Sequence, residues 1–568
     1  LCNSLLHFFQ PFKPGQIMTE ATRNLLEQHF DTAFAAPDGI AKLRELILTL
    51  AMQGRLVEQD PSDPPASELL KEIQAEKQRL VKAGKIKKPK PLPPIKPEEV
   101  PYELPKGWEW VRLPEVYFGI GNKQNQIQKK DYLERGLFPV IDQGKNFIAG
   151  YCNDNERIVK IDRPVVIFGD HTKKIKYVEF DFVIGAEGVK ILCPYHAVFT
   201  KFLYFLIQSF DLTDRGYARH FKVLNEKLVP LPPFSEQQCI VARIDQLMAR
   251  CDTLETLRKE REEKRFAIHA AAINQLLDAP DGSAWNFIQQ HFGELYTVKE
   301  NVAELRKAIL QLAVTGRLVP QNPDDPPASE LLKEIKAEKQ RLVKAGKIKK
   351  SKPLPPIKPE EVPFELPQGW EWVRLGDVSF SNDSGWSPQC LREKRSNGQW
   401  GILKVSAVTW GKFNPDENKA LPSDKDPRPE CEVKAGDFLL SRANTDELVA
   451  RSVIVEETPE KLMMSDKIVR FRLPKSMNSH FINIVNGTEF SRSYYITNAS
   501  GTSSSMKNVS RQVMAELPIP LPSLPEQHRI VAKIDQLMAL CDTLEKQINA
   551  ATSKQTEMLN AVMARVGG

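Results

Sequence analysis

At 568 residues, with 41% hydrophobic and 27% charged side chains, the chain exceeds a single hydrophobic core and has an ordinary globular composition, which points to several domains. Its 79 Lys and Arg against 73 Asp and Glu leave a net charge of +6, a mild excess that permits a polyanionic partner without demanding one. The 8 cysteines form no CxxC pair, so a metal site is not expected, and no run is long and apolar enough to span a bilayer.

The chain opens with LCNSLLHFFQPFKPGQI before Met18, so residues 1–17 read as an upstream or non-native segment, and the true start is either Leu1 or Met18. This stretch lacks the basic start and small-residue cleavage pattern of a signal peptide. Residues 18–100 read as a helical arm followed by a Pro-rich linker. In DPPASELLKEIQAEKQRLVKAGK, Leu69, Ile73 and Leu80 mark one helix face and Gly84 is a C-terminal stop. PKPLPPIKPEEVP is then a stiff, polyproline-like connector. The KIKK before it touches phosphate or, more commonly for such clusters, is simply solvated.

Residues 101–234 form a first domain that begins with ELPKGWEWVRL. Strands are expected at FPVIDQGKNFIAGY from Phe138 and VIFGDHTKKIKYVEF from Val166, each broken by a polar turn, and KFLYFLIQSF around Tyr204 reads as a buried helix. A long helix follows over 235–280. There Ile240, Ile244, Leu247, Cys251 and Leu254 step by four and three, the 3.5-residue period of a coiled-coil seam.

The same order then returns. Residues 281–362 are a second arm and linker, with Leu332, Ile335 and Leu342 on a helix face and a stop at Gly346; 363–524 are a second domain opened by ELPQGWEWVRL; 525–568 are a C-terminal helix. In that helix Ile530, Ile534, Leu537, Cys541 and Leu544 repeat the seam. The repeat is too long for a solenoid unit and reads as duplication of a domain-sized module. The central segments 114–228 and 376–517 show no obvious likeness to each other and differ in length. Each apolar stripe must be covered: by its symmetry mate in an antiparallel pair, the simplest assembly, by the helices at 43–50 and 305–312, or by a second copy of the chain.

The tandem half-repeat, the PxGWEW opening of each variable segment, the LPIPLP exit and the EQxxIVxxIDxL helix together resemble the specificity subunit of type I restriction-modification enzymes. The RLV, ASELLKEI and PLPPIKPEE segments resemble its longer-armed branch. The resemblance implies an α+β fold with an internal pseudo-two-fold repeat: two α/β target-recognition domains separated by long antiparallel coiled-coil helices. It implies a non-catalytic DNA reader of the bacterial or archaeal cytoplasm. Two such domains bind the halves of a split double-stranded DNA target, and the helical regions dock two methyltransferase subunits and two restriction-translocase subunits. S-adenosylmethionine, ATP and Mg are then cofactors of those partners, with none expected in this chain. A heptad arm of about 30 residues is roughly 45 Å long at ~1.5 Å per residue, against roughly 34 Å for one turn of DNA, so helix length acts as a ruler for the spacer.

Within the first variable segment the candidates for DNA contact are Gln143, Lys145, His171, Lys173 and Lys174 in the turns, with Arg215, Arg219, His220 and Lys222 in RGYARHFKVLN. Lysines suit phosphates, while Gln and His reach base edges. Polar turn residues are mostly just solvated, so each stands as a candidate only. In the second segment Ser441, Arg442 and Asn444 offer a bidentate donor beside an amide, and Ser503, Ser504, Ser505, Lys507 and Asn508 supply hydroxyls and a charge or form a flexible Gly-Ser loop.

Rival enzymatic motifs fail on their letters. DPPAS at Asp63 and Asp325 puts alanine where a methyltransferase loop needs an aromatic to stack on a flipped base. YFGIG at Tyr117 is followed by no helical pattern, and GxxxxGK[ST] is absent. A helical scaffold that binds other proteins, and a methyltransferase with its own reader domains, are the competing functions.

Overall fold

The computed structural model describes residues 32–121, 123–185, 188–212, 219–278, 282–409, 411–501 and 506–567. Residues 1–17 and four of the candidates, Arg215, Ser503, Ser504 and Ser505, lie outside these. The fold mixes helix and sheet and divides into two compact units. One takes residues up to Arg261 together with Ala550–Gly568, and the other takes Glu262–Asn549. Among the described residues no helix is long and apolar enough to cross a membrane, and the seven of the eight cysteines that lie among them are free thiols.

The first unit begins with helices α1 (Gly39–Met52) and α2 (Ala66–Lys82). Leu69, Ile73 and Leu80 are buried on one face of α2, and Gly84 takes φ +68° just beyond its end, a left-handed stop that favours glycine. After the Pro-rich connector comes β1 (Glu109–Arg112), whose partner lies at the far end of the variable segment: β11 (Leu228–Leu231) pairs antiparallel with it, Trp110 opposite Pro230. The two repeated blocks therefore close on each other as a clasp, and the variable segment is an insert held at both ends.

Between them, β2 (Tyr117–Gly119), β7 (Val165–Gly169), β8 (Ile175–Val178) and β10 (Val189–Pro194) make an antiparallel four-stranded sheet in the order β2-β10-β7-β8. A five-stranded sheet joins β3 (Gln126–Ile127), β4 (Phe138–Ile141), β5 (Gly150–Cys152), β6 (Ile158–Val159) and β9 (Phe182–Gly185), with β9 parallel to β3 and β4. Helix α3 (Thr200–Gln208), expected as buried, is so at Phe202, Leu203, Phe205, Leu206 and Ile207. Helices α4 (His220–Asn225) and α5 (Phe234–Asp278) complete the order.

The second unit repeats the framework. After α6 (Ser283–Gln290) and α7 (Phe292–Leu295) come α8 (Lys299–Val314) and α9 (Ala328–Lys344). On α9 it is Leu331 and Ile335 that are buried, while Leu332 and Leu342 are half-buried, so Leu331 is the true equivalent of Leu69 and the expected face was misplaced by one residue at Leu332. The clasp is β12 (Glu371–Arg374) on β22 (Pro518–Leu521).

The second insert shows no obvious sequence likeness to the first, yet β13 (Ser381–Ser384), β16 (Phe438–Ser441), β18 (Ser452–Ile454) and β20 (Ile468–Arg472) form an antiparallel sheet ordered β13-β20-β16-β18. Strand for strand this is the order of the first insert. A smaller sheet joins β14 (Gly401–Leu403), β15 (Asn418–Ala420) and β19 (Leu462–Met463), and β17 (Ala443–Asn444) pairs with β21 (Lys507–Asn508). Helices α10 (Ser479–Gly487), α11 (Glu489–Asn498) and α12 (Arg511–Ala515) lead to the clasp, and α13 (Leu524–Gly567) follows it.

Two buried polar devices explain why the GWEWVRL and EQ motifs recur together. The Trp108 indole N–H donates to Glu236 at the start of α5 across 2.8 Å, and Trp370 to Glu526 across 2.9 Å. Gln59 and Gln321 donate to the other oxygen of each carboxylate. Burial raises the pKa of both glutamates, against the lowering effect of these bonds. The neighbouring Gln237 and Gln527 accept a backbone N–H of the insert, from Phe199 at 2.8 Å and Asn478 at 2.9 Å. Gly54 and Gly316 sit at φ +67° and +71° with the Pro105–Trp108 and Pro367–Trp370 pairs so close that a Cβ would clash with the proline ring.

The arginine of WVR straps down the Pro-rich connector. Arg112 donates to the carbonyls of Pro93 and Pro94 and pairs with Glu99 at 3.0 Å; Arg374 does the same to Pro355, Pro356 and Glu361. Proline has no N–H to offer a sheet, but its carbonyl still accepts. The connector is thus fastened to its own clasp.

The apolar stripes are core, not open docking surface. Ile240, Ile244, Leu247 and Cys251 are fully buried in one cluster with Leu43, Leu46, Ile47 and Leu50 of α1 and with α3, while Leu254 packs at its margin. Arg44 of α1 fixes the pairing by reaching Asp252 and Glu255 of α5. In the second unit Ile530, Ile534 and Cys541 are buried with Ile309 of α8, Leu537 and Leu544 lie at the margin, and Arg306 reaches Asp542 and Glu545. Of the three expected covers, the stripes therefore share their cores with the helices at 43–50 and 305–312.

One lock is not repeated. Glu76 of α2, its side chain 8% exposed, accepts the His196 backbone N–H at 2.7 Å and faces the His196 ring at 2.6 Å and Arg163 at 3.3 Å. Burial opposes ionisation, but these donors hold its carboxyl below the ordinary glutamate range. The identical Glu338 of α9 pairs instead with Arg341 on its own helix.

Trp108→Phe and Trp370→Phe each leave a buried carboxylate oxygen short of a donor and should cost about 1–3 kcal/mol, read as a lower urea midpoint of the affected unit. Because the folded pKa of Glu76 is depressed, its contribution is full above the ordinary glutamate pKa and is lost as pH falls through the folded value. Protease nicking of α2 should accordingly rise in that acid window, and Glu76→Gln should abolish the pH dependence while α9 stays unaffected.

Candidate nucleic-acid interface

In the first insert three stretches that are far apart in sequence are stitched together at one end of the sheets. The loop after β4 carries Gln143 and Lys145, the β7–β8 turn carries His171, Lys173 and Lys174, and α4 begins at His220. The Gln143 side-chain carbonyl accepts the His171 backbone N–H at 3.1 Å, and the Thr172 hydroxyl donates to the Gln143 backbone carbonyl at 2.5 Å. Asp170, 4% exposed, ties the turn to α4: its carbonyl accepts the His220 N–H at 2.9 Å and its carboxylate the Phe221 N–H at 2.9 Å.

Close packing holds this junction. A Cβ on Gly169 would meet Thr172 and Gln143, and one on Gly188, at φ +90°, would meet the Gln143 amide. Lys173 takes φ +57°, an uncommon left-handed conformation for a side chain, and its ammonium donates to the Leu212 carbonyl at 3.2 Å.

The candidates thus divide by role. Lys145, Lys174, Arg219 and Lys222 are exposed. Gln143, His171 and Lys173 are half-buried. His220 is 1% exposed, and its ring Nδ1 lies 3.1 Å from the Asp170 carbonyl, so it builds the junction and the expectation that its side chain contacts DNA is corrected.

In the second insert the ribbon β17–β21 places Asn444 opposite Lys507 and Ala443 opposite Asn508, joining two stretches that were separate candidates. Arg442 is fixed at its base, its N–H donating to the Lys467 carbonyl at 2.7 Å and its carbonyl accepting from Val509 at 2.9 Å. Ser441 is fully buried and donates to the Leu448 carbonyl at 2.7 Å, so its expected contact role is corrected to shaping the turn.

Lys507 lies 3.8 Å from Asp446. Arg492 of α11 donates to the carbonyls of Asp446 and Val449; burial, with Arg451 adding to it, lowers its pKa to about 10. Among the described residues, Arg442 Nε, Asp446 Oδ1, Asn508 Oδ1 and Arg492 Nη1 are buried without a hydrogen-bond partner. Unmet buried polar atoms are costly, and these four lie on or beside the ribbon and on α11.

Sequence reasoning missed Asp170, Asp446 and Arg492. Asp170 had a signal in its place between Gly169 and the basic turn; Arg492, on an amphipathic helix, had none.

A duplicated framework that closes two different inserts, each with basic and amide side chains gathered at one place, has the build of a tandem recognition protein. The family described as type I restriction modification DNA specificity domain matches residues 105–263 and 367–552. The chain is 37% identical to the EcoEI type I restriction enzyme specificity subunit of Escherichia coli over 92% of this chain and 93% of that one. It is 33% identical to the EcoAI specificity subunit of Escherichia coli, with the same shares covered. Among solved structures, the HsdS subunit from Thermoanaerobacter tengcongensis aligns with 82% of this chain and 98% of its own at 19% identity and a TM-score of 0.39. The chain belongs to the family of type I restriction-modification specificity subunits, the DNA-recognition and non-catalytic members of their complexes.

Proposed function

We propose that this chain reads a bipartite double-stranded DNA target, one half-site by each insert, and directs adenine methylation or restriction by partner subunits in the cytoplasm. The observation that carries the reading is the repeated clasp: it closes two inserts of the same strand order and different surfaces, inside a chain that a DNA specificity family matches twice. On this reading 101–234 and 363–524 are the two target-recognition domains. Lys145, Lys174, Arg219 and Lys222 suit phosphates, and Gln143 and His171 lie beside them. Arg442 suits guanine and Asn444 adenine, with Lys507 and Asn508 on the paired strand.

The two framework copies offer like surfaces to two methyltransferase and two restriction-translocase subunits. S-adenosylmethionine, ATP and Mg are then cofactors of those partners. Antiparallel pairing of the long helices and a ruler role belong to the same proposal. At 45 residues, α5 has a length of about 68 Å at ~1.5 Å per residue, which exceeds one turn of DNA.

Mapping methylated adenines in a host with and without this gene, together with its neighbouring methyltransferase, tests the reading. A split motif that appears only with the gene is expected. No gene-dependent methylation from a complex shown to assemble would overturn it in favour of a protein-binding scaffold. Exchanging residues 114–228 for another such insert should rewrite one half-site alone. Arg442→Ala should reduce methylation through the second insert's half-site by about 5- to 150-fold, as loss of a bidentate base contact of ~1–3 kcal/mol implies, and leave the first half-site unchanged.

A further inference from the structure

The first insert buries a cation that its core does not need. Lys176 on β8 points inward like Val178 two residues on, and only 6% of it is exposed. Lysine is almost never so buried unless paired. The nearest carboxylate oxygen, Asp142 Oδ1, is 3.5 Å away and already accepts the Gly144 N–H at 2.7 Å. An ammonium has three donors. Here they face three backbone carbonyls of one loop: Asp142 at 2.7 Å, Asn146 at 2.6 Å and Phe147 at 3.4 Å.

That loop, 142–147, is the one that carries Gln143 and Lys145. The second insert also buries a cation, Arg470, at 2% exposed, but balances it with two carboxylates, Asp383 at 2.6 Å and Asp437 at 3.0 Å. The carbonyls Arg470 reaches, those of Glu430 and Glu432, belong to a turn with no candidate contact residue. For packing alone, an apolar side chain at position 176 would serve as well as a desolvated charge.

We propose that Lys176 is a positioning residue for recognition of the first DNA half-site. Its ammonium gathers the carbonyls of Asp142, Asn146 and Phe147 and fixes the loop in the conformation that presents Gln143 and Lys145. This rests on the reading of the first insert as a DNA-reading domain. Lys176→Met keeps the stem and removes the donors, so the loop loosens while β8 keeps its packing.

Two measurements on the full-length chain test this. Hydrogen exchange of the amides in 142–147 should quicken about tenfold or more in Lys176→Met, the scale of losing a bond to a charged group, with the second unit unchanged. In complex with the methyltransferase, the mapped motif should lose stringency in the first half-site while the second half-site and the spacer stay fixed. Unchanged exchange, or a first half-site as stringent as in the wild type, would overturn the proposal. Should Lys176→Met fail to fold, Lys176→Leu, which likewise removes the donors, is read in the same two assays. If the wild-type complex yields no gene-dependent split motif, the DNA reading itself falls, whereas the exchange data still decide whether Lys176 orders the loop.

Discussion

Two four-residue strands pairing across the whole length of an insert are the constraint on which each half of this protein depends. The β1–β11 and β12–β22 ladders join the segment before an insert to the segment after it, and a tryptophan–glutamate hydrogen bond anchors each ladder to the long helix that follows. Without that closure the arginine strap on the Pro-rich connector would have no fixed base, and the glutamine that receives the insert's backbone N–H would have no fixed position. A buried carboxylate is an expensive way to join two elements, and it is directional: it holds only when indole, glutamine and helix start converge.

Above the clasp the two inserts solve one problem with different residues. Both run a four-stranded antiparallel sheet in the same order, followed by a helix that packs on it and shares a core with a framework helix, α3 with α1 and α10 with α8. On this common support the first insert stitches three loops through Asp170 and Gln143, whereas the second builds a small ribbon steadied by Arg492. Their polar surfaces therefore differ in geometry as well as in composition.

The repeat was legible by comparing the chain with itself, the mixed fold came with the family resemblance, and the buried helix at Tyr204 and the glycine stops at Gly84 and Gly346 were legible because each depends on near neighbours in sequence. What was hidden depends on distant ones. Nothing local to Trp110 says that Pro230 lies opposite, or that Arg112 will seek the carbonyls of prolines behind it. Periodicity found the stripe on α5 but could not say what covers it, and it slipped by one residue at Leu332 because two adjacent leucines fit a helix face almost equally. Composition marked Ser441 and His220 as polar and therefore as candidates. The folded chain spends both on the backbone, a use that no pattern of letters separates from contact with a ligand. The family resemblance supplied the DNA-reading role, which composition alone had only permitted.

The clasp also governs what the framework can hold. Because both ends of an insert leave from adjacent strands, the framework experiences a closed loop whatever lies between. The entropy of closing a loop grows only slowly with its length, by about 0.6 kcal/mol for each doubling. Inserts of unequal length, such as the two present here, thus impose nearly the same demand on two equivalent clasps. The framework is a socket indifferent to the size of what is plugged into it, and selective only for two short strands and the residues that lock them.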